Sequence, residues 1–271
     1  MTVQLGTPLN WHYIEKHQAL QLGSSELQLW WLPLTINEQQ KQLTLGLLNE
    51  KQRNKYKRRS SPELKDAYLA GRYYLLTLLA AYSNCKPNEI KLTYSRLNKP
   101  LLVTPYLETP TNKDFDGKIH FNFTDTNINN ENYALFAFCR EHQVGVDLES
   151  CSRSSEFERI ARRRFTPTEL EYATNNKGQL DSQRCLAIWT RKEAYGKAVG
   201  VGINFQMNKR NLVSNGMNST PFNYDFNDGE NDWRLLQIQP DPRFIASVVH
   251  QSHQDLEIIA FNRPYQTAKS T

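Results

Sequence analysis

Two carboxylates lie two positions apart in the largely apolar segment Val144–Glu149. The segment reads as a strand, and because side chains alternate along a strand, Asp147 and Glu149 are expected to face the same side. Two neighbouring carboxylates repel each other unless positive charge lies between them, and a hard cation such as Mg²⁺ takes oxygen ligands of this kind. The alternative, which this segment alone favours, is the polar face of an ordinary exposed strand.

A second segment, Trp189–Lys197, has the spacing of a helix. Trp189, Glu193 and Lys197 are four residues apart and therefore share one face. Glu193 could complete a metal site with the two strand carboxylates, and Lys197 could bring positive charge to a phosphate or a nucleophile. A Glu–Lys pair beside a core tryptophan would give the same pattern, so the evidence for a site comes from the combination with the strand.

Positive charge is concentrated in two short stretches. The chain carries 33 Lys and Arg residues against 28 Asp and Glu residues, a formal net charge of +5. Seven of the cations lie between Lys51 and Lys65, and four arginines lie between Arg159 and Arg164. Such clusters attract phosphates or an acidic partner surface, although either could also be a solvated helix face. No nucleic-acid-binding motif is recognisable.

The composition is typical of a folded protein of the cytoplasm. Hydrophobic residues make up 39% of the 271 positions, enough to bury a core. No apolar run approaches the ~20 residues of a membrane span, and the first residues lack the cationic and apolar regions of a signal peptide. The cysteines are scattered without a Cys-x-x-Cys pair, which argues against a disulfide scaffold or a thiolate zinc site.

The helices and strands that must position these residues occur in a similar order in the two halves of the chain. Helices are predicted near 38–58, 63–82, 156–164, 167–175 and 181–199. Strands are predicted near 27–32, 90–94, 119–124, 133–139, 144–149, 233–239, 244–250 and 256–261. The stretch 204–232, rich in Asn, Asp, Gly and Ser, is predicted to be mainly loop. The pattern indicates an α+β fold in two comparable halves joined near 140–143.

Six short motifs, in order, resemble the signatures of the 4′-phosphopantetheinyl transferases. The two strongest are Gly145–Glu149 and, some forty residues later, Trp189–Lys197. The other four are Ala70–Arg72, Asn98–Pro100, His120–Thr126 and Arg164–Glu169. The resemblance covers roughly residues 45–203 and is to the larger, surfactin-type branch of the family.

The resemblance implies two pseudo-symmetric halves, residues 1–140 and 141–271, each a small antiparallel sheet packed with helices. The active site is then expected in the cleft between them, with the metal site in the second half. The implied reaction moves the phosphopantetheine arm of coenzyme A to a serine of an acyl or peptidyl carrier protein and releases adenosine 3′,5′-bisphosphate. The carrier would serve fatty-acid, polyketide or nonribosomal-peptide synthesis. We expect a cytoplasmic monomer that binds neither nucleic acid nor membranes.

The resemblance also implies roles for individual residues. The Mg²⁺ ligands are expected to be Asp147, Glu149 and Glu193. Glu193 and Lys197 are the expected catalytic residues, because Glu193 would take the serine proton and Lys197 would stabilise charge on the diphosphate. The residues expected to bind coenzyme A are Lys55, Arg72, Lys99, Pro100, Thr124 and Lys192.

Two positions depart from the family pattern. Gln52 stands where a second phosphate-binding lysine is expected, with Lys51 beside it. Asp125 stands where most relatives carry a histidine that helps to hold the diphosphate, and a carboxylate there would repel that group. Asp125 could turn away and pair with a nearby cation, which needs no unusual geometry, or it could approach the metal.

Two other functions fit parts of the sequence. One is a coenzyme A- or nucleotide-binding module without catalysis, and the other is a basic nucleic-acid-binding protein that uses the cluster Lys51–Lys65. The set of Asp147, Glu149, Glu193 and Lys197 argues against the first, since binding alone does not need a complete metal site. Nucleic-acid binding through the basic cluster would weaken steeply with salt.

Overall fold

The computed structural model describes residues 6–12, 20–103, 118–201, 207–213, 223–251 and 255–264. Within them the α-helices are α1 Glu38–Leu47, α2 Glu50–Lys57, α3 Pro62–Tyr82, α4 Glu156–Arg164, α5 Pro167–Ala173 and α6 Ser182–Val199. The strands are β1 Thr7–Pro8, β2 Trp11–His12, β3 Glu26–Pro33, β4 Lys91–Tyr94, β5 Pro100–Val103, β6 Ile119–Ile128, β7 Glu131–Arg140, β8 Val144–Ser150, β9 Asn223–Asn227, β10 Asp232–Gln239, β11 Phe244–Gln251 and β12 Glu257–Phe261. The predicted α+β class is confirmed.

The strands form two larger sheets and one hairpin. The first sheet has the order β2-β12-β3-β7-β6, the second has the order β1-β10-β11-β8 with β9 also paired to β10, and β4 pairs with β5. The inner pairs are antiparallel, as predicted, but β12 runs parallel to β2 and β3, and β1 runs parallel to β10. The last strand, β12, thus lies inside the first sheet, and the two short strands β1 and β2 lie at the edges of the second and the first sheet.

One local prediction was wrong and another was incomplete. The helix predicted over 38–58 is interrupted, because Leu48 is extended and Asn49 caps α2 by accepting a hydrogen bond from the backbone N–H of Gln52. The stretch 204–232, predicted to be mainly loop, contains the edge strand β9, whose Tyr224 and Phe226 pack near Tyr195 of α6. Within that stretch, 204–206 and 214–222 lie outside the described residues.

Apolar side chains form three layers of core around the two sheets. One core lies between α3 and the first sheet and includes Leu75 and Phe136. A second lies between the sheets, where Leu29 and Val146 are fully buried. A third lies between the second sheet and helices α4–α6 and includes Ile188. The order of layers is therefore helix, sheet, sheet, helix.

Strand β8 lies unusually close to helix α6. A Cβ atom placed on Gly145 would lie 2.1 Å from the carbonyl oxygen of Ala194 and 2.3 Å from the backbone nitrogen of Ala198. Only glycine permits this approach. Because side chains alternate along β8, Asp147 and Glu149 share the side of Gly145 and face α6, whereas Val146 enters the core between the sheets.

Two expectations from the composition concern disulfide bonds and membrane-spanning helices. All four cysteines are free thiols. In the part of the chain that the structure describes, every helix is too short or too polar to cross a bilayer.

We expect Gly145→Ala to lower the free energy of unfolding by at least about 3 kcal/mol, because the added methyl group meets backbone atoms that cannot move without displacing α6. The matched control is Gly46→Ala in α1, where the added methyl group would have no neighbouring atom of the described residues within 4 Å. That control should be neutral or stabilising by up to about 1 kcal/mol. Urea unfolding measures both, and similar effects at the two positions would contradict the close packing of β8 on α6.

Candidate active site

Three carboxylates and one ammonium group meet where β8 faces α6. Asp147 and Glu149 project from β8, and Glu193 and Lys197 lie on successive turns of α6. The Lys197 Nζ lies 2.7 Å from Oδ1 of Asp147, and the side chains of Asp147 and Glu193 are buried. The structure therefore brings together Asp147, Glu193 and Lys197, whereas Glu149, the third expected metal ligand, pairs with Arg153.

The buried carboxylates repel one another. Burial, together with the negative charge of Asp147, raises the pKa of Glu193 to about 7 against the opposing effect of Lys197. Burial likewise raises the pKa of Glu149 to about 7, with Asp147 again adding to the shift and Arg153 opposing it. This cluster holds more negative charge than its cations neutralise, so its environment favours a further cation.

Strand β6 brings the first half of the chain to this cluster. The Lys197 ammonium also donates a hydrogen bond to Oγ1 of Thr124 at 3.0 Å. Two residues earlier on β6, Oδ1 of Asn122 accepts a hydrogen bond from the backbone N–H of Val146 at 3.0 Å. The edge strands of the two sheets, β6 and β8, therefore meet at the cluster, which lies between the halves of the chain.

The carboxylate oxygens of the cluster are suited to bind a hard cation such as Mg²⁺. Oδ2 of Asp147 and Oε1 of Glu193 are buried and have no hydrogen-bond partner among the described residues, and an unsatisfied buried anionic oxygen is costly unless a ligand meets it. Glu149 instead accepts a hydrogen bond from Nη1 of Arg153 at 2.9 Å. Within the described ranges, no three acidic, histidine or cysteine side chains converge around one metal position. A three-carboxylate ligand set would thus require the side chain of Glu149 to move toward the other two carboxylates; only its Oε2 contacts Arg153.

Lys55 and Arg72 lie together in a different place, a cavity of about 180 Å³ between α2, α3 and β6 that we call the cation cavity. Arg59 and Asp125 also line it. Successive residues on β6 point to opposite sides, so Thr124 faces Asp147 while Asp125 faces the cation cavity. Asp125 therefore lies among cations and away from the carboxylates, which agrees with the alternative in which it turns away from the diphosphate.

Lys99 joins three elements of the fold. Its Nζ donates hydrogen bonds to Oε1 of Gln143 at 2.8 Å and to the carbonyl oxygens of Val144 at 3.3 Å and Ala198 at 2.6 Å. Burial lowers the pKa of Lys99 to about 8. Pro100 follows it as the first residue of β5. The ammonium of Lys99 is fully used within the protein, so a contact with coenzyme A has no geometric support at that atom.

Lys192 lies in the core behind the cluster. Its Nζ is 2.7 Å from Oε2 of Glu169 and donates to the carbonyl oxygen of Arg210, also at 2.7 Å. Glu169 in turn accepts hydrogen bonds from the backbone N–H groups of Thr166 and Leu212, the first of which closes the capping box of α5. Both partners of the ion pair are almost fully buried. This arrangement makes Lys192 a structural residue and gives its predicted contact with coenzyme A no geometric support.

Gln52, which stands where a second phosphate-binding lysine is expected, and its neighbour Lys51 also have hydrogen-bond partners within the protein. The Gln52 side chain accepts a hydrogen bond from the backbone N–H of Asn49 and so completes the capping box of α2. Lys51 donates to Oδ1 of Asn98 at 3.1 Å and lies over the ring of Tyr94. Neither residue lines the cation cavity.

Sequence reasoning missed the contact between Arg153 and Glu149. Arg153 also pairs with Glu156 at 2.9 Å, so one guanidinium joins the end of β8 to the start of α4. The chain passes from a strand into a single 3₁₀ turn at Cys151–Arg153. Glu149 and Arg153 are four residues apart, the spacing of an ion pair within a helix, but the chain between them is the end of a strand and a 3₁₀ turn, so the spacing alone did not identify the contact.

We expect Lys192→Met to lower the free energy of unfolding by about 3–5 kcal/mol, because it leaves the Glu169 carboxylate buried without its cation. Adding Glu169→Gln should recover part of that loss, since the amide keeps a hydrogen-bond acceptor without a buried charge. Chemical unfolding of the two single variants and the double variant measures the coupling between them. Additive losses would contradict the ion pair.

The second sheet and α6 match a known protein family. Residues 143–250 match the 4′-phosphopantetheinyl transferase superfamily, and this span contains the carboxylates and lysine of the cluster. The 4′-phosphopantetheinyl transferase HetI of Nostoc sp. is 29% identical over 87% of this chain and 92% of its own length. A putative 4′-phosphopantetheinyl transferase of Synechocystis sp. is 29% identical over 70% of this chain and 71% of its own length.

A human protein is also similar to this chain. The human L-aminoadipate-semialdehyde dehydrogenase-phosphopantetheinyl transferase is 30% identical over 74% of this chain and 67% of its own length. These matches reach well beyond the second sheet and confirm the resemblance carried by the six motifs. The chain belongs to the 4′-phosphopantetheinyl transferase superfamily.

Proposed function

We propose that this protein transfers the 4′-phosphopantetheine arm of coenzyme A to a serine of an acyl or peptidyl carrier protein. The products are the holo-carrier and adenosine 3′,5′-bisphosphate. The observation that carries the proposal is the meeting of Asp147, Glu193 and Lys197 with Thr124 in a member of this superfamily, at the place where the edge strands β6 and β8 approach α6. The names of the relatives support the same reaction.

The proposal also covers the branch of the family, the oligomeric state, the location in the cell and the partners, for which the sequence is the main source. We place the chain in the surfactin-type branch and expect a monomer, because both halves that border the carboxylate cluster come from one chain. We expect it in the cytoplasm, where the free thiols of all four cysteines would persist. Carriers of fatty-acid, polyketide or nonribosomal-peptide synthesis are the expected partners.

The carboxylates of Asp147, Glu149 and Glu193 would hold one Mg²⁺ ion against the diphosphate of coenzyme A. The unsatisfied buried oxygens of Asp147 and Glu193 support this assignment. When bound there, the ion would neutralise charge on the diphosphate, polarise the attacked phosphorus and orient the leaving group. Arg153, which holds Glu149 here, would keep Glu156 as its second partner when Glu149 turns to the ion.

The protein's own side chains account for the remaining steps. Glu193 would accept the proton of the carrier serine, directly or through water, because no described residue occupies its buried Oε1. The serine oxygen then bonds to phosphorus while the bond from phosphorus to the adenosine bisphosphate breaks. Lys197, held between Asp147 and Thr124, would stabilise the charge that develops on the diphosphate. Positioning and charge neutralisation suffice for phosphoryl transfer, so no covalent enzyme intermediate is required.

The cation cavity would hold the 3′-phosphate of coenzyme A. Lys55 and Arg72 line it, and β6 separates it from the carboxylate cluster. A ligand that passes the edge of β6 near Thr124 would reach both places. One molecule of coenzyme A would then have its 3′-phosphate and its diphosphate bound on opposite sides of the same strand.

The direct test is incubation with coenzyme A, Mg²⁺ and a panel of apo-carrier domains, followed by intact-protein mass measurement. We expect one carrier or more to gain the mass of one phosphopantetheine group, and the gain to disappear with EDTA. Binding of coenzyme A without a mass gain on any carrier would instead favour the module without catalysis.

We expect Glu193→Gln to reduce transfer at least about a hundredfold, because the amide keeps the shape of the side chain but loses the proton acceptor and the charge. The thermal unfolding midpoint and much of the affinity for coenzyme A should be retained. The matched control is Glu171→Gln on the exposed face of α5, which should transfer at the wild-type rate. Near-normal turnover of the Glu193 variant at saturating Mg²⁺ would contradict the assignment.

A further inference from the structure

We propose that Arg59 and Asp125 together set how strongly the cation cavity selects a phosphate monoester. In this proposal Arg59 is a third cation for the 3′-phosphate of coenzyme A, and Asp125 is a built-in counter-charge that weakens the selection. The inference deepens the proposed function and rests on it. It concerns two residues that the six motifs leave without a role.

The first observation is an unsatisfied cation in the cavity wall. Arg72 is only 8% exposed, and its Nη1 is buried without a hydrogen-bond partner in the described part of the chain. Its guanidinium carbon lies 5.7 Å from the ring centroid of Tyr68 and 5.8 Å from that of Phe123. A buried charged donor without a partner is costly, so this cavity is built for an anionic acceptor.

The second observation places Arg59 beside Arg72. The guanidinium carbon of Arg59 lies 5.5 Å from the ring centroid of Tyr68, the same ring that Arg72 contacts. The Tyr68 hydroxyl donates a hydrogen bond to the carbonyl oxygen of Gln52 at 3.2 Å, which fixes the ring against α2. Tyr68 thus holds two guanidinium groups at one wall of the cavity, and Lys55 adds an ammonium group to its lining.

The third observation is the carboxylate opposite these cations. Asp125 lines the cavity from β6 and is exposed, so it can move without disturbing the core. Three cations and one carboxylate give the cavity a formal charge of +2, which matches a phosphate monoester dianion. When the ligand lacks that phosphate, the charge of Asp125 still offsets part of the positive charge of the cavity. Its presence therefore reduces the penalty for binding such a ligand and lowers selectivity.

The adjacent residue Arg58 provides a matched control. It is an exposed arginine at the C-terminal cap of α2 and does not line the cavity. Substitutions at Arg58 and Arg59 remove the same charge from the same surface, so general electrostatic attraction of coenzyme A affects both equally. Only a contact with the ligand's phosphate distinguishes them.

The experiment measures the dissociation constants of coenzyme A and of dephospho-coenzyme A, which lacks the 3′-phosphate, by isothermal titration. Wild type, Arg59→Leu, Asp125→Asn and Arg58→Leu are compared. We expect Arg59→Leu to weaken coenzyme A binding about tenfold, as for loss of a charge-assisted hydrogen bond, with dephospho-coenzyme A changed less than about twofold. Asp125→Asn should tighten coenzyme A binding and increase the preference for it over dephospho-coenzyme A. Arg58→Leu should leave that preference unchanged.

The outcomes separate this inference from the proposed function. Suppose that wild type binds coenzyme A but Arg59→Leu weakens the binding of both ligands equally, or changes it only as Arg58→Leu does. The role of Arg59 is then overturned, while the transferase proposal stands. Weaker coenzyme A binding by Asp125→Asn would overturn the counter-charge role. If wild type binds neither ligand, both the inference and the proposed function fail. All three substituted residues are exposed, so folding is expected to be retained and a thermal unfolding midpoint checks it.

Discussion

The approach of β8 to α6 at Gly145 is the constraint on which the candidate active site depends. Since no side chain separates the two backbones there, Asp147 of the strand lies 2.7 Å from Lys197 of the helix. On the same face α6 is held by a hydrogen bond of 2.9 Å between Thr190 and Ser247, and on another face by the buried ion pair of Lys192. An outward shift of α6 by the width of one methyl group would separate Asp147 and Glu149 of β8 from Glu193 and Lys197 of α6.

Strand β6 extends the site into the first half of the chain. Its pleat directs Thr124 to the carboxylate cluster and Asp125 to the cation cavity, so one strand borders both places. The hydrogen bond between Asn122 and the backbone of Val146 holds this strand beside β8, although the two strands belong to different sheets. The carboxylates of β8 and α6 and the cations of α2 and α3 thus lie on opposite sides of one edge strand.

Much of this arrangement could be predicted from local patterns, because periodicity reports which side chains share a face. The spacing of Glu193 and Lys197 placed both on the face that meets β8, and the cap at Thr166 marked the start of α5. The same period puts Lys192 about 100° around the helix from Glu193, and the structure buries it in the core. Pairing between distant segments leaves no local pattern, so the parallel addition of β12 to β3 and the cavity around Asp125 required the structure.

The most direct test of the account is calorimetric titration of Mg²⁺ into the protein saturated with coenzyme A. The account predicts one bound ion per chain for wild type and at least about tenfold weaker Mg²⁺ binding for Asp147→Asn, which loses a charged ligand. Asp225→Asn, an exposed aspartate on β9, should bind Mg²⁺ like wild type. Equal Mg²⁺ affinity of the Asp147 variant and wild type would contradict the placement of the metal at this cluster.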